Sequence, residues 1–268
     1  MHYHLLRLIG LIALAVVSSC SPVIYTTLQP VTLLPEKKGD VELTYGNTIY
    51  SSAYDGNFGV SLTGACALTD RYSITANYLG WRGDVDINTL TIASVLNFES
   101  WGSNANIFEV GVGRYWVNRT DNNWRYEVTA GYGMGFINNE RQDAATTDAR
   151  YVNFYAQPAL GYKSKHLWLI TALRFTHINY RSLDWQYPNS LEERTLASFY
   201  DDHKQTLAIE PGISASLHFD PILVSAKYAW SSFRSQALGD RNLPLVMNRN
   251  FTIAIGLKLN WQRKRKGQ

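Results

Sequence analysis

The chain has 268 residues, of which 46% are hydrophobic and 13% aromatic, and its formal net charge is +3. A nearly neutral chain has no global field that would select nucleic acid as a partner. Beyond the amino-terminal residues, no segment approaches the eighteen apolar residues that mark a membrane helix. If the mature chain spans a membrane, it must therefore do so as a closed β-barrel, because an open sheet would leave backbone groups unsatisfied in lipid.

The first nineteen residues have the layout of a secretory signal peptide. Arg7 supplies positive charge, residues 8–17 are almost wholly apolar, and two serines follow. Val17-Ser18-Ser19-Cys20 resembles the lipobox of bacterial lipoproteins. That resemblance implies cleavage before Cys20 and acylation of its thiol and its new amine, by palmitate or similar chains. Each buried CH₂ contributes ~0.8 kcal/mol, so several acyl chains anchor a protein firmly.

Two segments flank the folded part of the chain. Residues 20–39 lack periodicity and contain three prolines, which is typical of an extended, lipidated tether. Residues 263–268 form a basic tail that is either solvated or in contact with anionic lipid headgroups. We expect the barrel itself to occupy residues 40–262.

Two-residue alternation of apolar and polar side chains recurs along the chain and predicts strands. The clearest example is 124–136, where the even positions are apolar or aromatic and the odd ones are charged, polar or Gly. The fold class is therefore all-β, an antiparallel up-and-down transmembrane β-barrel of about ten strands, or twelve if 89–98 add to it. Pro158 and Pro211 lie inside two strands and predict a bulge or local break in each. The ten predicted segments are 40–50, 58–68, 72–81, 106–117, 124–136, 151–163, 166–178, 205–219, 221–233 and 251–261.

The predicted connections alternate in length. Tight or fairly short turns fall at 69–71, 118–123, 163–165 and 219–221, and longer connections at 51–57, 82–105, 137–150, 179–203 and 234–250. Outer-membrane barrels have short periplasmic turns and long outer loops. Both ends of the barrel, and with them the start of the lipid anchor, are then expected on the periplasmic side.

The apolar face is expected to point outward to lipid, because a small barrel cannot hold about five bulky side chains from each of ten strands. The opposite face carries Gly and Ser, which suit a narrow lumen. Aromatic residues flank the predicted periplasmic turns and resemble one of the two aromatic girdles of such barrels. These are Tyr72, Trp116, Trp124, Tyr162, Phe219 and Trp261.

Eight charged residues share the predicted inward face. The four acids and four bases balance, so we expect them to pair with each other and with trapped water and to close the lumen. They are Glu42, Glu109, Arg125, Glu127, Arg174, Glu210, Lys227 and Lys258.

Three functions remain open. The first is a structural or interaction role through the outer loops, and the second is a narrow channel for small solutes. The third is an omptin-like surface protease, since Asp84, Asp86, Asp201 and His203 in predicted outer loops could position and deprotonate a water. Nothing else around these residues matches that protease family, and no metal spacing or phosphate-binding loop occurs. We therefore expect no enzyme activity and no cofactor.

Several stretches look like a family of uncharacterised lipid-anchored outer-membrane β-barrel proteins. They are Cys20-Ser21-Pro22, residues 33–41, 59–71, 73–78 and 126–133. Residues 256–261 are similar to the signal read by barrel-assembly machinery, although Gln262 and the basic tail follow the terminal aromatic. The resemblance implies a bacterial outer-membrane location anchored at Cys20. It also implies outer-membrane lipid and the barrel-assembly and lipoprotein-sorting machineries as partners. It implies no activity.

Overall fold

The computed structural model describes residues 23–26, 38–50, 57–85, 101–117, 123–141, 146–186, 204–233, 245–247 and 249–260. Within these ranges, no helix is long and apolar enough to cross a membrane. Apart from short turns and three short extended segments, the described residues form ten long strands.

These strands are antiparallel neighbours in chain order, and the last pairs with the first. The fold is thus an all-β barrel closed by ten strands, as the alternation predicts. The strands are β1 (Asp40–Tyr50), β2 (Asn57–Ala67), β3 (Tyr72–Val85), β4 (Trp101–Val117), β5 (Trp124–Arg141), β6 (Thr146–Lys163), β7 (Leu167–Gln186), β8 (Gln205–Phe219), β9 (Ile222–Trp230) and β10 (Arg249–Asn260).

The barrel has two unlike ends. The turn end holds the connections 68–71, 118–123, 164–166 and 220–221, together with the start of β1 and the finish of β10. The loop end holds the connections 51–56, 86–100, 142–145, 187–204 and 231–248. At the turn end, the Lys38–Gly39 turn leads into β1, and Gly39 has a φ of 83°, a conformation that favours glycine.

The prediction of a long outer loop over 137–150 is wrong. Strand β5 continues to Arg141 and strand β6 starts at Thr146, which leaves a connection of only four residues. The reason is that polar side chains extend the ladder beyond the apolar part of the strands. The side-chain amide of Asn138 donates to Asp148, and the Ser103 hydroxyl donates to Asn139 over 2.7 Å. Long and short connections therefore do not alternate throughout.

Both prolines interrupt pairing locally, as predicted. The β6–β7 ladder lacks the pairs at Gln157 and Pro158 but keeps its register on both sides. The β8–β9 ladder is interrupted beside Pro211, and pairing resumes at Ile209 with Ser232. A true register shift occurs between Arg150 and Tyr151 instead, at a site where the sequence gives no signal.

Side chains alternate between an exposed outer face and a buried interior along every strand. On β5, Tyr126, Val128 and Met134 are exposed, whereas Arg125 and Glu127 are buried. The interior is uneven: its charged groups lie in the middle and the turn-end half, and most of its bulky aliphatic side chains lie in the loop-end half. These aliphatic side chains were not expected from the sequence, which predicts a polar interior.

One short segment near the amino terminus pairs with the last loop-end connection. Val23–Thr26 forms a parallel two-stranded ladder with Leu245–Met247, with Tyr25 opposite Val246. It also approaches β5, which lies five strands away from β10 on the opposite wall. The predicted tether thus includes a paired segment, which its composition does not indicate.

Candidate functional site

The centre of the barrel holds a buried ion cluster built around Arg174 of β7. Its guanidinium binds Glu109 of β4 through two nitrogens, with Nη1 donating to Oε2 over 2.8 Å. Such two-point pairing fixes both geometry and charge. β4 and β7 are three strands apart, so this pair bridges the lumen rather than neighbouring strands.

The same arginine also binds residues of its own strand and of the neighbouring strand β8. Arg174 Nε lies 3.2 Å from Glu210 Oε2 and donates to the Thr176 hydroxyl over 3.0 Å. Thr176 in turn donates to Glu210, and the Ser231 hydroxyl donates to Glu210 Oε1 over 3.0 Å. Arg174, Glu109 and Glu210 are almost completely buried. Leaving any one of them uncompensated would be costly, so the cluster acts as a unit.

An aromatic ring and an amide complete the cluster. The guanidinium carbon of Arg174 lies 4.0 Å from the ring centroid of Tyr155, within cation–π range. The Asn153 side chain donates to Glu109 Oε1 over 2.7 Å. Both residues are on β6, which lies between the strand of Glu109 and the strand of Arg174.

Glycines on β5 make room for these β6 side chains. Gly131, Gly133 and Gly135 lie directly opposite Tyr155, Asn153 and Tyr151 in the β5–β6 ladder. A Cβ at Gly131 or Gly135 would meet the opposite tyrosine ring, and one at Gly133 would meet Asn153 and Glu109. Large side chains of β6 therefore occupy the space next to these inward glycines.

The other predicted lumen charges lie nearer the turn end. Glu42 and Lys258 face each other in the β1–β10 ladder, and Lys227 of β9 lies within electrostatic range of Glu42. Glu42 and Lys227 are buried, and Lys258 is half-buried with its Nζ 4.6 Å from the ring centroid of Trp168. These residues form a second, smaller charged group on the opposite wall from β4 and β5.

Glu127 and Arg125 occupy β5 near the turn end. Glu127 Oε1 accepts from the Ser73 hydroxyl over 2.9 Å and from the Thr129 hydroxyl over 3.3 Å. No described donor reaches its Oε2. Arg125 donates from Nη1 to the Trp124 carbonyl over 3.2 Å. The described partners of Glu127 are thus hydroxyls, where the sequence suggested a cation.

Apolar side chains line one side of the interior between the ion cluster and the loop end. They come from β3, β4, β5 and β7, so they cover one side of the lumen over four of five successive strands. The largest of them are fully or nearly fully buried: Leu79, Trp81, Ile107, Ile137 and Ile178. This apolar layer lies on the loop-end side of the ion cluster.

A cavity of about 430 Å³ opens at the turn end. Lys163, Lys165, His166 and Lys258 line it together with the carboxylates of Asp40 and Asp220. Trp168 forms its floor, stacked on His218 with ring centroids 4.1 Å apart. The cavity is a mixed-charge mouth rather than a passage, because the ion cluster lies deeper in the lumen.

The remaining predicted sites lie outside the described residues. Cys20, Asp86, Asp201 and His203 are among them, and for Asp84 only the backbone pairing with Gly102 is described. Within the described ranges, no group of three His, Cys, Asp or Glu side chains could hold a metal ion.

The sequence missed the aromatic and apolar parts of the interior. Tyr151 and Tyr155 lie on a strand whose other face also carries an aromatic, Phe154, so alternation alone assigns neither face. The sequence does contain a signal for the apolar layer. Two consecutive apolar residues, as in Ile107-Phe108 and Phe136-Ile137, place one apolar side chain on each face of the strand.

No family model matches this chain, and no curated protein matches it. Solved barrels resemble it at low identity. The translocator domain of the autotransporter NalP from Neisseria meningitidis is 10% identical, with a TM-score of 0.40, over 82% of this chain and 87% of that one. The transport unit of the autotransporter AIDA-I from Escherichia coli is 9% identical, with a TM-score of 0.36, over 93% and 96%. Such low scores carry no information about what this chain binds or transports.

Proposed function

We propose that this protein is a lipid-anchored barrel of the bacterial outer membrane that acts as a structural or interaction protein through its loop end, with a closed lumen. The observation that carries the proposal is the belt of exposed apolar side chains around the barrel. Along β10, Phe251, Ile253, Ile255 and Leu257 are all exposed, and their inward neighbours are buried. A soluble barrel would place this face in its core, whereas lipid is the solvent that suits it.

Aromatic residues bound the belt. At the turn end, Tyr72, Trp116 and Phe219 are exposed, and Trp124 packs edge-on against Tyr162 with centroids 5.1 Å apart. Toward the loop end, Phe136 is exposed. Trp124 and Phe136 are twelve residues apart on one strand, so a tilted strand separates them by ~30 Å along the barrel axis. That height is close to the ~25 Å apolar band of outer-membrane barrels.

Beyond the level of Phe136, outward residues on three strands are polar. Asn104, Glu140, Asp148 and Arg150 are exposed on the loop-end parts of β4, β5 and β6. The strands thus continue past the belt into water, as expected if the loop end projects from the membrane. This polar projection supports an interaction role on that side.

The buried ion cluster argues against the channel alternative. Arg174, Glu109 and Glu210 cross the lumen at its middle, and the guanidinium lies over the Tyr155 ring. A conducting pathway would need these buried charges to separate. Of the four residues of the protease alternative, Asp86, Asp201 and His203 lie outside the described residues.

Fractionation of cells that produce the full chain tests the location and the anchor together. We expect the protein in the outer-membrane fraction, resistant to extraction by urea, with a mature amino-terminal peptide whose mass shows acylated Cys20. A Cys20→Ser variant should lose the lipid, and the matched Cys66→Ser variant should keep it. Unmodified Cys20, or recovery in the soluble periplasm, would contradict the proposal.

A further inference from the structure

Two lysine side chains meet at one buried tryptophan in the turn-end cavity. The Nζ atoms of Lys163 and Lys258 lie 4.9 Å and 4.6 Å from the ring centroid of Trp168, within cation–π range. Lys163 ends β6 and Lys258 is near the end of β10, so the two cations come from separate parts of the wall. Lys165 and His166, on the turn between β6 and β7, also line the cavity. This convergence gives the cavity a positive side that suits an anionic group.

Carboxylates line the same cavity. Asp220 is exposed on the turn between β8 and β9. Asp40 is buried at the start of β1, where its Oδ1 accepts from the Asn260 side-chain amide over 2.6 Å. Glu42 lies opposite Lys258 in the β1–β10 ladder and adds negative charge on that side. A simple anion would therefore meet repulsion as well as attraction, whereas a zwitterion can pair with both signs of charge.

The cavity reaches from the lumen to the outer face of the barrel. The indole that forms its floor is buried, but Phe219, Ile222 and Leu259 also line the cavity and are exposed on the outer face. The wall is stepped at this point, because β10 pairs with β1 as far as Asn260 but with β9 only as far as Leu257. The charged cavity is therefore continuous with the turn-end edge of the apolar belt.

We propose that this cavity binds the headgroup of a phospholipid that carries a primary amine, in the leaflet at the turn end. The phosphodiester lies beside the ammonium groups of Lys163 and Lys258, and the headgroup ammonium donates to Asp220, the exposed carboxylate of the lining. The acyl chains pass over Phe219 and Ile222 into the belt. Soluble phosphoethanolamine esters share the headgroup chemistry, but only a lipid uses the apolar rim. This inference rests on the proposed location in a membrane and names a lipid partner for the turn end.

The chemistry of the headgroup sets the expected selectivity. A primary ammonium has N–H groups that a carboxylate accepts, and such charge-assisted hydrogen bonds are among the stronger ones. The trimethylammonium of phosphatidylcholine has no N–H to donate. Phosphatidylglycerol brings the phosphate without any ammonium, so it leaves the carboxylates of the cavity facing an anion. Phosphatidylethanolamine should therefore bind better than either.

Native mass spectrometry of the purified full chain tests the site. The protein in detergent is mixed with equal amounts of phosphatidylethanolamine, phosphatidylcholine and phosphatidylglycerol that have identical acyl chains. We expect one bound phosphatidylethanolamine, retained roughly fivefold more than either competitor, as one hydrogen bond to a charged group contributes. Equal retention of the three lipids, or preference for either competitor, would overturn the proposal. Glycerophosphoethanolamine, which lacks acyl chains, should not displace the lipid at equal concentration, and displacement would show that the ligand is soluble instead.

Substitutions locate the binding. Asp220→Asn should remove the preference over phosphatidylcholine, and Lys163→Gln should lower the retention of all three lipids severalfold. Asp70→Asn and Arg71→Gln are the matched controls, because both residues are exposed on the turn between β2 and β3, outside the cavity lining. A preference that survives Asp220→Asn, or that the control variants lose equally, would overturn the assignment to this cavity.

The lipid comparison on the unmodified chain does not depend on the folding of any variant. It also needs only the purified barrel, whereas fractionation of cells tests the membrane location. The two proposals therefore fail in distinguishable ways.

Discussion

Gly135 of β5 lies directly opposite Tyr151 of β6, and the Tyr151 ring occupies the space that a Cβ at Gly135 would need. The same relationship joins Gly131 to Tyr155, whose ring lies under the Arg174 guanidinium. The absence of a side chain on one strand therefore positions the aromatic support of the ion cluster on the next. Inward glycines in this barrel create contacts rather than open space.

A methyl group at Gly131 should destabilise the barrel. It would meet the Tyr155 ring and the backbone carbonyl of Val110, which cannot move away cheaply. We expect Gly131→Ala to cost about 1–3 kcal/mol, as overpacking typically does. Urea unfolding in detergent or liposomes, followed by tryptophan fluorescence, measures this.

Gly64→Ala is the matched control for that substitution. Gly64 is also mid-strand, but its added Cβ would meet only the flexible end of Leu43, at 3.2 Å. A small change is expected there. Equal destabilisation by the two variants would show that strand propensity, and not the packing of Tyr155, explains the effect.

Loss of the central arginine should be much more costly than loss of an exposed one. Arg174→Gln leaves Glu109 and Glu210 buried without their cation, which we expect to cost about 3–5 kcal/mol. Arg114→Gln is the matched control, because Arg114 is exposed and its guanidinium carbon lies 5.0 Å from the ring centroid of Trp116. Unfolding free energies of the two variants, compared in one lipid, check the prediction.

A double-mutant cycle separates pairing from general packing. If Glu109 and Arg174 act as a pair, Glu109→Gln should recover part of the stability that Arg174→Gln loses. Strictly additive losses would contradict the proposed unit.

Alternation predicted most of this fold because each strand has an apolar outer face and, over most of its length, a polar or small-residue inner face. Val128 and Ile255 lie on exposed faces, and Glu127 and Ala254 on buried ones, wherever one face is apolar and the other polar or small. Strand ends near the turn end were also predicted to within a residue or two, since Asp, Pro and Asn mark those turns. The closed ring of ten strands follows from these two signals.

The loop-end half could not be predicted in the same way. There the strands extend above the apolar belt, so polar residues such as Asn138 and Asp148 stay in the ladder and resemble loop residues in the sequence. Inside the barrel, Trp81 and Ile178 reverse the expected polarity. Partners such as Glu109 and Arg174 are 65 residues apart, and no local pattern specifies which acid meets which base.

Arginine placed on the outer belt should be tolerated less than arginine on the inner face. Ile255 is exposed mid-strand between Val224 and Tyr45, so Ile255→Arg should cost ~2–4 kcal/mol in a bilayer. Lys258→Arg, on the inward face of the same strand, keeps its charge and should have little effect. Comparable folding yields of both variants into liposomes would refute the assignment of the outer face to lipid.

The purified barrel should not conduct ions as an open pore. Ten strands enclose little more than the eight-strand barrels that side chains fill, and far less than a sixteen-stranded porin. Here the narrow space contains a buried Arg174 bound on two sides, with the apolar layer of Trp81 and Ile107 toward the loop end. Opening a water column would require separating the ion pairs and hydrating the apolar layer at once. We therefore expect no stable single-channel conductance in planar bilayers, and only brief, small events for Arg174→Ala, which removes the bridge but keeps the apolar layer. A steady conductance of the unmodified protein near that of general porins would show that the lumen is open and would favour the channel alternative.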